Sequence, residues 1–124
     1  MNPEKTYTAL IIDDEPPARA MVRSFLSEHP NIHIAGECSN GFEALKAIQD
    51  QNPDLLFLDI QMPKVSGLEL LEVLDHEQEP VVIFSTAYDQ YALKAFEMSA
   101  VDYLLKPYSR TRFNQAVDKA LEQL

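Results

Sequence analysis

Five short apolar runs, each followed by a helical pattern, constrain this chain more than any other feature. They are Ala9-Leu10-Ile11-Ile12, Ile32 to Ala35, Leu55-Leu56-Phe57-Leu58, Val81-Val82-Ile83-Phe84 and Val101 to Leu105. The first, third and fourth are apolar at nearly every position. A strand with one wet face alternates, so unbroken runs suit strands buried on both faces, as in a parallel sheet.

Helical spacing follows every run. After the first, Ala18, Met21, Val22, Phe25 and Leu26 recur on one face, with Pro16 and Pro17 at the start, where a missing N–H costs least. After the second, Asn40 and Glu43 have capping-box spacing ahead of Leu45 and Ile48. After the third, Ser66-Gly67 precede Leu70, Leu71 and Leu74. After the fourth, Ala92, Leu93 and Phe96 are expected to form the packing face. After the fifth, Phe113, Ala116, Val117, Ala120, Leu121 and Leu124 follow Ser109 as N-cap. Pro30, Pro53 and Pro80 punctuate the returns to strand. The pattern predicts a (βα)5 chain, a doubly wound five-stranded parallel sheet with helices on both faces and right-handed crossovers.

The 124 residues fit one domain, and a chain of this size buries roughly two thirds of its unfolded surface without disulfides. Cys38 is the single cysteine, which excludes an internal disulfide framework or a cysteine-based metal site and suits a reducing cytosol. No apolar stretch approaches the ~20 residues that span a bilayer. The N-terminus, Met1-Asn2-Pro3-Glu4-Lys5, lacks a signal-peptide pattern, so a cytoplasmic protein away from membranes is expected. Net charge is -10, with ten basic residues, a poor endowment for neutralising nucleic-acid phosphates. This domain is not expected to touch DNA itself. Three glycines in the whole chain leave no Rossmann fingerprint and no P-loop; Asp13-Asp14-Glu15-Pro16 stands where a glycine-rich turn would be needed.

In open α/β sheets ligands bind beyond the carboxyl ends of the strands. The first run ends in Asp13-Asp14, the third in Asp59, the fourth in Ser85-Thr86 and the fifth in Lys106-Pro107. The second ends in Glu37-Cys38 and is unremarkable. Singly, each has a bland reading: an acidic pair capping a helix, an aspartate in a turn, a structural threonine, a solvated lysine. Together they bring three carboxylates, a hydroxyl and an ammonium to one edge. Clustered carboxylates repel unless a cation joins them, and oxygen-only donors suit a hard divalent ion such as Mg²⁺. A lysine can hold a phosphoryl oxygen, a threonine can donate to another, and an aspartate can act as nucleophile to form an aspartyl-phosphate. With no nucleotide loop, the phosphoryl group must come from outside the chain.

These residues resemble the receiver domain of bacterial two-component response regulators. The segments that carry the likeness are Leu10-Ile11-Ile12-Asp13-Asp14-Glu15, Leu58-Asp59-Ile60-Gln61-Met62-Pro63-Lys64-Val65-Ser66-Gly67, Ser85-Thr86-Ala87 and Tyr103-Leu104-Leu105-Lys106-Pro107, spread over essentially the whole chain. The resemblance implies the flavodoxin-like strand order 2-1-3-4-5. It implies that Asp59 accepts phosphate from a sensor histidine kinase. Asp14 would bind Mg²⁺ (or Mn²⁺) directly, Asp13 mainly through water, and Asp59 and the Gln61 backbone carbonyl would complete the metal site. Thr86 would contact the phosphoryl group, Lys106 would pair with it, and Tyr103 would be the aromatic switch that turns inward when Thr86 moves. A cis peptide between Lys106 and Pro107 is also implied, as is output through a face of helix 4, strand 5 and helix 5 that can form a homodimer. Such a domain is a switch, whose only chemistry is its own phosphorylation and slow dephosphorylation.

A finer resemblance is to the LytTR-type subfamily. It is carried by Asp13-Asp14-Glu15-Pro16 with Ala18-Arg19, by Thr86-Ala87-Tyr88-Asp89 with Tyr91-Ala92-Leu93-Lys94-Ala95-Phe96-Glu97, and by Ala100-Val101-Asp102-Tyr103-Leu104-Leu105-Lys106-Pro107. In that subfamily a DNA-binding domain follows the receiver, so residues 1–124 are expected to be the receiver of a longer transcriptional regulator rather than a stand-alone protein. Two other functions compete. A metal-dependent phosphatase of the haloacid-dehalogenase type carries a second aspartate two residues after the nucleophile, where this chain has Gln61. A constitutive interaction module leaves Asp13, Asp14, Asp59, Thr86 and Lys106 unexplained. His29, His33 and His76 match no metal spacing, Cys38 reads as a small filler, and Glu15 as support for the first helix that lies close to the metal residues.

Overall fold

The computed structural model describes residues 5–74 and 79–124; the readings of Met1–Glu4 and His76 lie outside them. Strands and helices alternate: β1 Tyr7–Ile12, α1 Pro16–Leu26, β2 Ile32–Cys38, α2 Gly41–Gln51, β3 Leu55–Leu58, α3 Gly67–Val73, β4 Val81–Thr86, α4 Ala92–Glu97, β5 Asp102–Leu105 and α5 Arg110–Gln123. The strands form one parallel sheet in the order β2-β1-β3-β4-β5, as expected.

Successive side chains of a strand point to opposite faces, so the apolar runs feed two cores. Ala9, Ile11, Leu55 and Phe57 pack on one face against Val22 and Leu26 of α1 and Phe113, Ala116 and Val117 of α5. Leu10, Ile12, Leu56 and Leu58 pack on the other against Ala44 and Ile48 of α2, Leu70 of α3 and Ala95 of α4. The chain leaves β1 for β2 on one side and returns as β3 on the other. The connections therefore diverge beyond β1 and β3, and that divergence opens the crevice at the carboxyl edge.

Caps define where the helices begin. Asn40 accepts from the Glu43 N–H. The Glu43 carboxylate reaches past Asn40 to the Ser39 N–H and hydroxyl, so the expected box is displaced by one residue. Ser66 and Glu69 form a complete capping box, and Ser109 accepts from the Arg112 N–H. Pro16 and Pro17 occupy the first positions of α1. No helix of the described residues is long and apolar enough to cross a membrane.

The packing face of α4 departs from expectation. Leu93 is 75% exposed and Phe96 52%, while Ala95 is buried. Helical spacing identifies a stripe but not the side it faces. The six-residue helix rests on the sheet through a small side chain, which permits close approach and turns the larger residues outward.

Candidate functional site

Asp13 follows β1 and is held at every polar atom. Its N–H donates to the Cys38 carbonyl (3.0 Å), and its carbonyl accepts from Arg19 Nη1 (2.6 Å). Its Oδ1 accepts from the Glu15 N–H (2.9 Å) and its Oδ2 from Lys106 Nζ (2.7 Å). Asp59 follows β3 on the neighbouring strand, with its N–H on the Ile12 carbonyl (2.9 Å). Its Oδ1 accepts from the Gln61 N–H (3.3 Å), and its Oδ2 lies 3.4 Å from Lys106 Nζ. Both aspartates are buried.

One ligand oxygen from each of Asp13, Asp14, Glu15 and Asp59 falls within 4.8 Å of the others. The structure thus brings together the three carboxylates singled out in the sequence and adds Glu15. As the N-cap residue of α1, Glu15 makes no capping hydrogen bond, and its carboxylate lies 3.5 Å from Lys106 Nζ. The four carboxylates make a hard, all-oxygen donor set of the kind that suits Mg²⁺, with the Lys106 ammonium beside them.

The electrostatics follow from burial and the single lysine. Burial pushes the Asp59 carboxyl above the usual aspartate range. The Lys106 charge opposes that, Asp13 reinforces it, and hydrogen bonds from Thr86 and the Gln61 N–H offset part of it. Burial alone would lower the Lys106 ammonium, but the hydrogen bond to Asp13 and the charges of Asp59, Asp13 and Glu15 hold it above its ordinary value. The lysine is firmly charged, and Asp59 is poised for a partner that neutralises it.

The remaining predicted residues ring this centre. Thr86 ends β4 fully buried, and its carbonyl accepts from the Lys106 N–H (2.8 Å), which ties β4 to β5. The Lys106–Pro107 peptide is cis, as expected. Gln61 turns its amide to the Tyr91 hydroxyl (2.7 Å) at the start of α4. Tyr103 is half-buried, its ring 6.2 Å from that of Phe84, and its hydroxyl donates to the Tyr88 carbonyl. Tyr103 is thus already fastened to the loop between β4 and α4.

Gly67 brings α3 close to Asp59. A Cβ there would fall 2.3 Å from the Asp59 carbonyl oxygen, so only glycine permits this approach. The Gly67 N–H donates to the Ile60 carbonyl (2.9 Å) and closes the loop.

Sequence reasoning missed the role of Asp102, which it included in the fifth apolar run. Asp102 is buried, and Arg112 of α5 grips both its oxygens at 2.8 and 2.7 Å, with Lys119 at 3.3 Å. An acid inside an apolar strand, facing a helix with basic residues, was the available signal. The bland readings of two other residues agree with the structure. His29 Nε2 lies 2.8 Å from Asn114 Oδ1 against Phe113, and Cys38 is buried with its thiol pushed up to about 11 by burial and Glu43, Arg19 opposing.

A flavodoxin-like parallel sheet carrying four carboxylates and a lysine at its carboxyl edge defines a class of small α/β domains with an acidic pocket. The sequence pattern of the response regulator receiver domain matches residues 9–118, and the chain belongs to that family. It is 50% identical over 114 residues to the transcriptional regulatory protein BtsR of Escherichia coli (strain K12), covering 92% of this chain and 48% of BtsR. It is 52% identical over 116 residues to an uncharacterized response regulatory protein of Vibrio cholerae, covering 94% of this chain and 49% of that protein. The chain spans about half the length of the curated relatives it matches. Among solved structures, the response regulatory domain of mrkE from Klebsiella pneumoniae superposes with a TM-score of 0.85 at 31% identity, over 94% of this chain and 96% of that one. The REC domain of AraT, a response regulator from Geobacillus stearothermophilus, gives 0.85 at 32% identity, over 95% of each chain.

Proposed function

We propose that this receiver domain accepts a phosphoryl group on Asp59 from the phosphohistidine of a sensor kinase, and that the change at Asp59 alters its output face. A carboxylate oxygen of Asp59 attacks phosphorus, the P–N bond breaks, and the electron pair leaves with the kinase imidazole. The observation that carries this is Lys106 Nζ, which lies within 3.4 Å of Asp59 and 2.7 Å of Asp13 and so sits where charge on a transferring phosphoryl group would be met. Asp13, Asp14, Asp59 and the Gln61 backbone carbonyl would hold Mg²⁺ (or Mn²⁺), with Glu15 beside them. When bound, the ion neutralises the carboxylates and the phosphoryl oxygens. Thr86 would donate to the phosphoryl group, and Tyr103 would report its position through Tyr88.

Gln61 supports storage of the phosphate rather than turnover. Its amide, which is no general acid, is occupied by Tyr91. The exposed Leu93, Phe96 and Leu105 support the face of α4, β5 and α5 as the output surface, in a homodimer or against an effector. The LytTR-type motifs, the half-length match and the name of BtsR support a DNA-binding effector joined to this domain in a cytoplasmic transcriptional regulator. The test is intact mass after incubation with Mg²⁺ and acetyl phosphate. One phosphoryl group should be gained, and neither Asp59→Asn nor the wild type in EDTA should gain it. Phosphorylation of Asp59→Asn at the wild-type rate would remove Asp59 from the role.

A further inference from the structure

Arg19 lies in the second turn of α1, outside the acid group, and phosphoryl transfer as written above makes no use of it. Its side chain is only 19% exposed. Nη1 donates to the Asp13 carbonyl at 2.6 Å, and Nε lies 3.5 Å from Glu37 Oε1. Glu37, near the end of β2, also binds Arg23. One guanidinium therefore bridges the carboxyl ends of β1 and β2.

The other polar atoms of Asp13 are fixed by the sheet, by the start of α1 and by Lys106. The carbonyl is different, because it belongs to the planar peptide that joins Asp13 to Asp14. The orientation of that plane sets the direction in which the Asp14 side chain leaves the backbone. A planar, forked donor held by a carboxylate behind it fixes such a plane better than a single ammonium does.

We propose that Arg19 is a positioning residue for the divalent metal. It turns the Asp13–Asp14 peptide so that both carboxylates converge, and Glu37 orients the guanidinium and offsets its charge. This rests on the assignment of the acid group as a Mg²⁺ site. Charge alone predicts the opposite sign: a cation this close repels Mg²⁺, so removing it would tighten binding. Partners that orient metal ligands typically matter by about 10–100-fold in affinity, enough to outweigh that repulsion.

The test is calorimetric titration of Mg²⁺ into the full chain as wild type, Arg19→Gln, Arg19→Lys and Glu37→Gln, with metal-free melting temperatures alongside. Arg19→Gln should weaken Mg²⁺ binding by about tenfold or more. Arg19→Lys should recover part of the loss, since an ammonium reaches one partner well, and Glu37→Gln should lose less than Arg19→Gln. Unchanged or tighter binding in Arg19→Gln overturns the proposal, as does a lower melting temperature with no change in Mg²⁺ affinity. Should Arg19→Gln fail to fold, Glu37→Gln decides: weaker binding supports the proposal and wild-type binding overturns it. A wild type that binds no Mg²⁺ overturns the metal site as well, whereas wild-type binding matched by Arg19→Gln overturns the role of Arg19 alone.

Discussion

Lys106 Nζ lies closer to Asp13 than to Asp59, at 2.7 Å against 3.4 Å. The lysine thus pairs first with the carboxylate that follows β1 and only second with the one that follows β3. Lys106→Met leaves buried carboxylates without their cation, a loss of about 3 kcal/mol for a pair broken on one side. The metal-free melting temperature should fall, and Mg²⁺ should raise it by more than in the wild type, because the ion no longer competes with an internal ammonium. Thermal melts with and without Mg²⁺ check this; an equal rise in both proteins would contradict it.

Asp102 and Arg112 give a pH-dependent contribution. Burial pushes the Asp102 carboxyl up, but hydrogen bonds from Arg112 and the Tyr103 N–H, with the Arg112 charge and a hydrogen bond from Lys119, hold it below the usual range. A carboxyl lowered on folding stabilises the native state fully above its unfolded value, and that stability drains away as pH falls through the folded one. Arg112→Met should therefore cost about 1–3 kcal/mol near neutrality and progressively less in acid, below the ordinary aspartate range. Urea melts at several pH values measure this.

Gly67→Ala should be costly, because Gly67 is buried at the first position of α3. Its Cβ would meet the Asp59 carbonyl oxygen at 2.3 Å, so α3 or the Asp59 backbone must move. Overpacking of this kind costs about 1–3 kcal/mol. Phosphorylation of Asp59 should slow along with the loss of stability. The pairing of chemical denaturation with the phosphorylation rate tests the link.

Leu93→Lys on α4 should leave stability within about 0.5 kcal/mol of the wild type, since Leu93 is 75% exposed. If α4 forms the output surface, the same change should abolish any association that beryllofluoride and Mg²⁺ induce. Sedimentation of the two proteins with and without beryllofluoride reads it directly.

Much of the site was legible because strand ends in a parallel sheet converge on one edge. Once Leu55–Leu58 is read as a central strand, Asp59 must fall beside Asp13. The side chains that hold those residues were not legible. Glu37 looked unremarkable after β2, yet it anchors Arg19, because its partner lies on the helix that crosses in front of it. Asp102 was hidden in an apolar run, because a buried charge is identified by its partner, and Arg112 lies ten residues away on another element. The α4 stripe of Leu93 and Phe96 faces outward although its spacing suits a core helix.

By itself the sequence determined the (βα)5 order, the parallel sheet and the set of polar side chains that meet at its carboxyl edge. Those depend on local periodicity and on a topology that leaves few alternatives. Only the tertiary structure decided which cation meets which carboxylate, that Glu15 joins the acid group, that Tyr103 is fastened to Tyr88, and which way α4 turns. Those outcomes depend on distances of a few ångströms between elements far apart in the chain, and burial and charge settle them only after the elements have packed.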